Sequence, residues 1–159
     1  MLRPTTKPLF PAMLSALTLA AVAIVAAGCA DTGVSRAIGK LVDERTSDTI
    51  RLADATSFEW DQVYLFGPYA ARRDICATLR IGEDDCARQV PFESQDDGDM
   101  SIAFMDKGRL VHYARHSRAN GDFTPVPAAQ PIARERALFR KPRAGEAQAG
   151  LARGKLILE

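Results

Sequence analysis

The chain has 159 residues, 47% apolar and 26% charged, which are the proportions of an ordinary globular protein and exclude a disordered or fibrous chain. Its 21 basic and 20 acidic residues nearly cancel, which excludes a nucleic-acid binder, because such proteins meet phosphate with a large excess of Lys and Arg. Two histidines leave little material for metal or acid–base chemistry.

Residues 1–8 carry Arg3 and Lys7 and no acidic group, and residues 9–27 carry no charge, with the apolar density highest from Met13 to Ala27. A short basic stretch followed by an apolar run of about 15 residues is the layout of an export signal. The run closes on Val25-Ala26-Ala27-Gly28-Cys29, small residues placed directly before a cysteine.

This ending resembles the lipobox of bacterial lipoprotein precursors, with Ala26 where that family usually has Leu. The resemblance implies cleavage of the Gly28–Cys29 bond, diacylglycerol on the Cys29 sulfur and acylation of the new amino terminus. Two acyl chains already anchor a protein stably to a bilayer. In the same family an Asp directly after the cysteine retains the protein at the inner membrane. Here Ala30 follows, so the expected location is the outer membrane, facing the periplasm. The alternative is an uncleaved transmembrane helix, since the uncharged run nearly reaches the ~20 residues needed to span a bilayer. Pro11 and the shorter apolar centre argue for the signal.

Removing residues 1–28 takes the formal charge from +1 to −1 and leaves a chain long enough for one hydrophobic core. The expected organisation is a signal peptide over 1–28, a lipidated N-terminus and tether over 29–48, a globular domain over 49–143 and a flexible tail over 144–159. If lipid occupies one of the three cysteines, Cys76 and Cys86 remain as a pair that an oxidising compartment can join. The alternative reading makes Cys76 a buried apolar position on a helix.

Within the tether, Val34, Ile38, Leu41 and Val42 fall at helical spacing and permit one or two amphipathic turns, while Gly33 and Gly39 weaken them. The aromatic and β-branched run from Phe58 to Phe66, ended by Gly67-Pro68, predicts a strand. By period two it places Phe58, Trp60, Tyr64 and Phe66 on one face and Val63 and Leu65 on the other, with its second half buried on both sides. Tyr69 to Ile81 predicts a helix turning Ile75, Cys76 and Leu79 inward and stopped by Gly82. Met100–Met105 and Leu110–Arg115 predict a hairpin around Lys107-Gly108. Asn120-Gly121 marks a further turn, and the prolines from Pro125 to Pro131 impose irregular chain. Ile132 to Lys141 permits an edge strand or a short helix. The fold class is α+β: a small antiparallel sheet of about four strands with one or two packed helices. Trp60-Asp61, Val63-Tyr64, Phe66 and Pro68-Tyr69 also resemble a stretch seen in small uncharacterised secreted bacterial proteins, which implies no function.

His112 and His116 stand four apart, a metal-binding spacing on a helix, but on a strand their Cα atoms lie about 13 Å apart, too far for one ion. Asp96-Asp97-Gly98-Asp99 has the start of a calcium loop without its closing Glu and reads as a polar turn, as does Glu83-Asp84-Asp85. Asp61 beside Trp60 offers one carboxylate without an assignable second, and reads as a hydrogen-bonded strand end. Arg134, Arg136, Arg140, Lys141 and Arg143 form a basic cluster that could face anionic headgroups or an acidic partner, or simply be solvated. No residues are assigned to catalysis or metal, and no cofactor or small-molecule substrate is identified. The expected function is a membrane-anchored envelope lipoprotein acting as a non-enzymatic binding or assembly module on an envelope protein partner. The alternative is an inhibitor or immunity lipoprotein against a periplasmic hydrolase or toxin. An enzyme would need a cleft joining Asp61 to a distant histidine.

Overall fold

Alternating apolar residues and a tight turn produce the longest strand pair, β3 (Asp99–Asp106) and β4 (Arg109–Ser117), in the computed structural model, which describes residues 33–44, 48–143, 146 and 154–159. The turn residues Lys107 and Gly108 take φ of 49° and 76°, the two left-handed positions that match the right-handed twist of a hairpin. Near its start β4 carries one extra residue: Phe104 pairs with His112 and Met105 with Leu110, so Val111 bulges outward. Strand β2 (Gln62–Phe66) lies antiparallel along the other edge of β3, and β5 (Ile132–Ala133) pairs with the start of β2.

Every residue of β3 from Met100 to Met105 is buried, because both faces of this four-stranded sheet are covered. On one face Val63, Leu65, Met100, Ile102, Phe104 and Ala114 pack beneath helix α1 (Gly33–Asp43) and a three-stranded sheet of β1 (Thr49–Arg51), β6 (Leu138–Arg140) and β7 (Ile157–Leu158). On the other, Ala103, Met105 and Tyr113 pack beneath α2 (Arg72–Leu79) and α3 (Glu83–Gln89). The class is α+β, as the sequence predicts. The second sheet and third helix exceed the expectation.

Helix α2 turns Ile75, Cys76 and Leu79 inward, as their spacing predicts. It ends differently. Arg80, not Gly82, takes the left-handed conformation at φ 57°, while the Ile81 amide closes on the Cys76 carbonyl at 2.9 Å. Gly82 instead leads into α3, whose first turn is Glu83-Asp84-Asp85; these carboxylates meet the positive end of the helix rather than forming a loop turn. Cys76 and Cys86 are disulfide-bonded with Cα atoms 5.8 Å apart, stapling α2 to α3. Replacing both by alanine should lower the unfolding free energy by about 2.5–3 kcal/mol, the chain entropy restored when a loop of this length opens. Urea unfolding measures it, and an unchanged midpoint would mean the α2–α3 contacts suffice alone.

Four further expectations are corrected. The tether over 29–48 contains α1, whose Val34 and Ile38 belong to the main core; the helical spacing outweighs the two glycines, and Gly39 lets the helix pass close to Asn120, since a Cβ there would fall 2.9 Å from Asn120 Oδ1 and push that side chain aside. The tail over 144–159 ends in β7, and Leu156 is buried. The strand over 58–66 begins only at Gln62; the irregular chain before it swings Phe58 and Trp60 onto the face of Val63 and Leu65, while Tyr64 and Phe66 stack together on the opposite one. The segment 132–141 is neither one strand nor one helix: β5 and β6 belong to different sheets, joined by a 3₁₀ turn at Arg134–Arg136. The proline-rich stretch is irregular as expected, and Gln130 uses its side-chain amide as a substitute strand, accepting from the Leu65 amide at 2.7 Å and donating to the Leu65 carbonyl at 3.0 Å.

Candidate functional site

A cavity of about 400 Å³ opens where the start of α1 meets the 3₁₀ turn Leu52–Ala55 and the chain leading to Trp60. Val34, Ala37 and Phe58 supply apolar wall, Asp54 and Ser57 lie at its polar part, and His112 projects from β4 against the Phe58 ring, centroid to centroid 4.6 Å. The Thr56 hydroxyl is committed, donating to the Ala53 carbonyl at 2.9 Å and accepting from the Trp60 indole at 3.0 Å. Its lining joins apolar side chains to a few polar ones. Of its polar residues the sequence singled out only His112, because Asp54 and Ser57 carry no motif.

His116 stays apart from His112, as strand geometry requires. It is fully buried against Phe123, and its Nε2 lies 2.6 Å from the Gly121 carbonyl, which assigns the proton to Nε2 and leaves Nδ1 buried without a hydrogen-bond partner. Burial, only partly offset by that carbonyl and by Asp122 and Asp99, lowers its pKa below 6.5. The fold therefore holds the neutral ring while the unfolded chain takes up a proton more readily. The stabilisation from this group is complete above pH 6.5 and is lost as pH falls through the depressed folded value. Urea midpoints should drop from about pH 7.5 to about pH 5.5 in wild type and stay flatter in His116→Gln; equal slopes would assign the effect elsewhere.

Asp61 is the hydrogen-bonded strand end the sequence predicts. Its carboxylate accepts the Lys107 amide at 2.9 Å and so braces the hairpin turn, while its backbone links Met105 and Arg134. The Asp96-Asp97-Gly98 stretch is a polar turn, with Asp96 accepting the Gly98 amide at 2.7 Å. Among the described residues no group of three metal-ligating side chains converges.

The basic cluster is dispersed by the fold. Arg134 lies over Trp60, its guanidinium carbon 5.2 Å from the ring centroid. Arg140 forms a two-pronged pair with Glu146 at 2.6 and 2.8 Å, which lowers the Glu146 pKa to about 2, and Lys141 donates to the Glu44 carbonyl at 3.0 Å. Arg136 and Arg143 are exposed.

The strongest charge constellation escaped the sequence. Asp122, almost fully buried, receives Arg118 through two contacts at 3.0 and 2.8 Å, Lys155 at 2.7 Å and the Thr124 hydroxyl at 2.6 Å. Arg118 and Asp122 stand at helical spacing and were in principle visible, but Lys155 sits in the stretch expected to be a mobile tail. A groove of about 530 Å³ runs past the disulfide between Arg72, Arg73 and Glu83.

Cys29 and the Gly28–Cys29 bond lie outside the described residues, as does the rest of the expected signal peptide over 1–28. Among the described residues no helix is long and apolar enough to cross a membrane. Comparison with family models, curated proteins and solved structures finds no match for this chain.

Proposed function

We propose that this chain is a membrane-anchored envelope lipoprotein, held by lipid on Cys29 after cleavage of the Gly28–Cys29 bond, whose folded domain is a non-enzymatic binding or assembly module. One observation carries the reading: Cys76 and Cys86 are bonded to each other, which sets apart the third cysteine, Cys29, directly after an apolar, small-residue run. A disulfide on a helix pair is at home in an oxidising compartment, which the export signal supplies. Three polar side chains of the kind a reaction uses are engaged in holding the fold: Asp61 braces a turn, Asp122 neutralises two cations, and His116 is buried as a neutral ring. Ala30 after the cysteine favours the outer membrane, facing the periplasm.

Intact mass of the protein purified from native membranes tests the anchor. Wild type should lack residues 1–28 and carry several acyl chains, and Cys29→Ser should lose both features. A full-length unacylated mass in wild type would make residues 9–27 a retained apolar segment and end the proposal.

One observation favours the narrower reading of an inhibitor or immunity lipoprotein. Tyr69 is 60% exposed and held at φ 63° between β2 and α2, an unfavourable conformation for an aromatic residue that presents its ring to solvent. Exposed aromatic anchors dominate tight protein complexes. On this reading Tyr69→Ala weakens a one-to-one complex with a hydrolase or toxin without lowering stability.

A further inference from the structure

Arginine is well suited to grip a carboxylate, because its planar guanidinium is always charged and offers a fork of N–H donors. In a folded protein those donors usually find acceptors. Two arginines here leave most of theirs unused. The Arg115 side chain makes no hydrogen bond among the described residues: its guanidinium carbon lies 4.9 Å from the Phe92 ring centroid, and its one ion-pair partner, Asp99 Oδ2, stands 3.7 Å from Nε. The Arg72 guanidinium has a single acceptor, the Pro91 carbonyl at 3.4 Å, and its Nε is buried without a partner.

Both arginines line one cavity of about 340 Å³, at the small end of the range for ligand sites. The chain from Pro91 to Asp99 supplies the rest of the lining, and the fold holds that chain in one shape. Buried Ser94 donates to the Asp99 carbonyl at 2.6 Å, Asp96 Oδ1 accepts the Gly98 amide at 2.7 Å, and Glu93 Oε1 accepts the Arg72 amide at 2.7 Å. Walls fixed beforehand reduce the ordering cost of binding.

The same chain brings the opposite charge. Glu93, Asp96 and Asp99 line the cavity beside the two arginines, so it holds two cations and three anions. A simple anion would meet a net negative lining. A metal ion would need ligands that converge, and among the described residues no group of three does. A molecule bearing both charges suits both halves of the lining.

We infer that this cavity binds a small zwitterion, of amino-acid to dipeptide size, with Arg72 and Arg115 on its carboxylate and Asp96 and Asp99 on its ammonium group. The assignment goes beyond the envelope reading above and does not depend on the Cys29 anchor.

The test titrates the full-length protein with glycylglycine and follows the arginine Nε–H resonances by NMR. Wild type should give one saturable curve in the millimolar range at Arg72 and Arg115. Acetate and ethylamine, which carry one charge each, should bind at least about tenfold more weakly, the loss expected when a charge-assisted contact is missing. Asp96→Asn keeps an oxygen for the Gly98 amide and removes the charge; it should weaken glycylglycine about tenfold and leave acetate no weaker than before. Arg115→Gln should weaken both ligands and leave the urea midpoint near that of wild type, since its pair with Asp99 is open to solvent and of small worth. Equal affinity for glycylglycine and acetate overturns the zwitterion. Affinities unchanged in both variants overturn the placement, and no saturable shift at either arginine overturns the site. None of these outcomes bears on the acyl mass of the native protein, which tests the anchor separately.

Discussion

Asp122→Ala should lower the unfolding free energy by about 3–5 kcal/mol, because it leaves two cations facing a nearly dry site with no counter-charge. The side chains of Arg118 and Lys155 are 28% and 13% exposed, so solvent compensates little. Some polar partners survive the substitution: Lys155 still donates to the Thr124 carbonyl and hydroxyl, and Arg118 to the Asp97 carbonyl. These neutral acceptors satisfy hydrogen bonds but not charge, which places the expected loss toward the lower end of the range. Burial by itself would raise the Asp122 pKa; the hydrogen bonds from Arg118, Lys155 and Thr124 outweigh it and hold the carboxyl well below the usual carboxylate range. A depressed folded pKa contributes stability that is fully present above the ordinary value of 3.8 and disappears as pH falls through the folded value. Wild type should therefore lose stability below about pH 4 more steeply than Asp122→Asn, which preserves the shape and lacks the charge. Urea midpoints at neutral pH and in acid measure both effects. A neutral-pH loss under about 1 kcal/mol for Asp122→Ala would place this cluster among surface ion pairs of small worth.

The constellation also shows what sequence reading reaches and what it misses. The hairpin was legible because its information is local: alternation along Met100–Met105 and Leu110–Arg115, and a glycine at the turn. The disulfide was legible by arithmetic once one cysteine of three was set aside. The separation of the two histidines followed from strand rise alone. The second sheet was not legible, since β1, β6 and β7 are two or three residues long and Thr49 finds its partner at Arg140. Nothing near such short segments specifies that pairing; burial of Ile50, Phe139 and Leu156 in one core does. Period two misled at Phe58 and Trp60, because a periodicity argument assumes the strand runs through them, and the backbone turns before Gln62. The cavity beside His112 escaped for the same reason as the second sheet: Val34, Ser57 and His112 are brought together by packing between distant segments, not by a motif.

Ile38→Ala should lower the unfolding free energy by about 3–4 kcal/mol, an expectation that follows only if α1 is part of the fold. Ile38 is 0% exposed, and its Cγ2 lies where a Cβ on Gly121 would be just 3.3 Å away, so the surrounding atoms have little room to collapse into the space left behind. Helix α1 is fixed further by Ser35, whose hydroxyl accepts the Ser117 amide at 3.1 Å and the Asn120 side-chain amide at 2.9 Å. Arg36, exposed on the same helix, supplies the control: Arg36→Ala should change stability by less than about 0.5 kcal/mol. Chemical denaturation of the two variants beside wild type resolves the two cases. If Ile38→Ala proves as mild as Arg36→Ala, α1 adds nothing to the core and the expected tether over 29–48 stands. If it costs the full amount, α1 belongs to the folded body, which then begins by Gly33 and not at residue 49 as the sequence predicts.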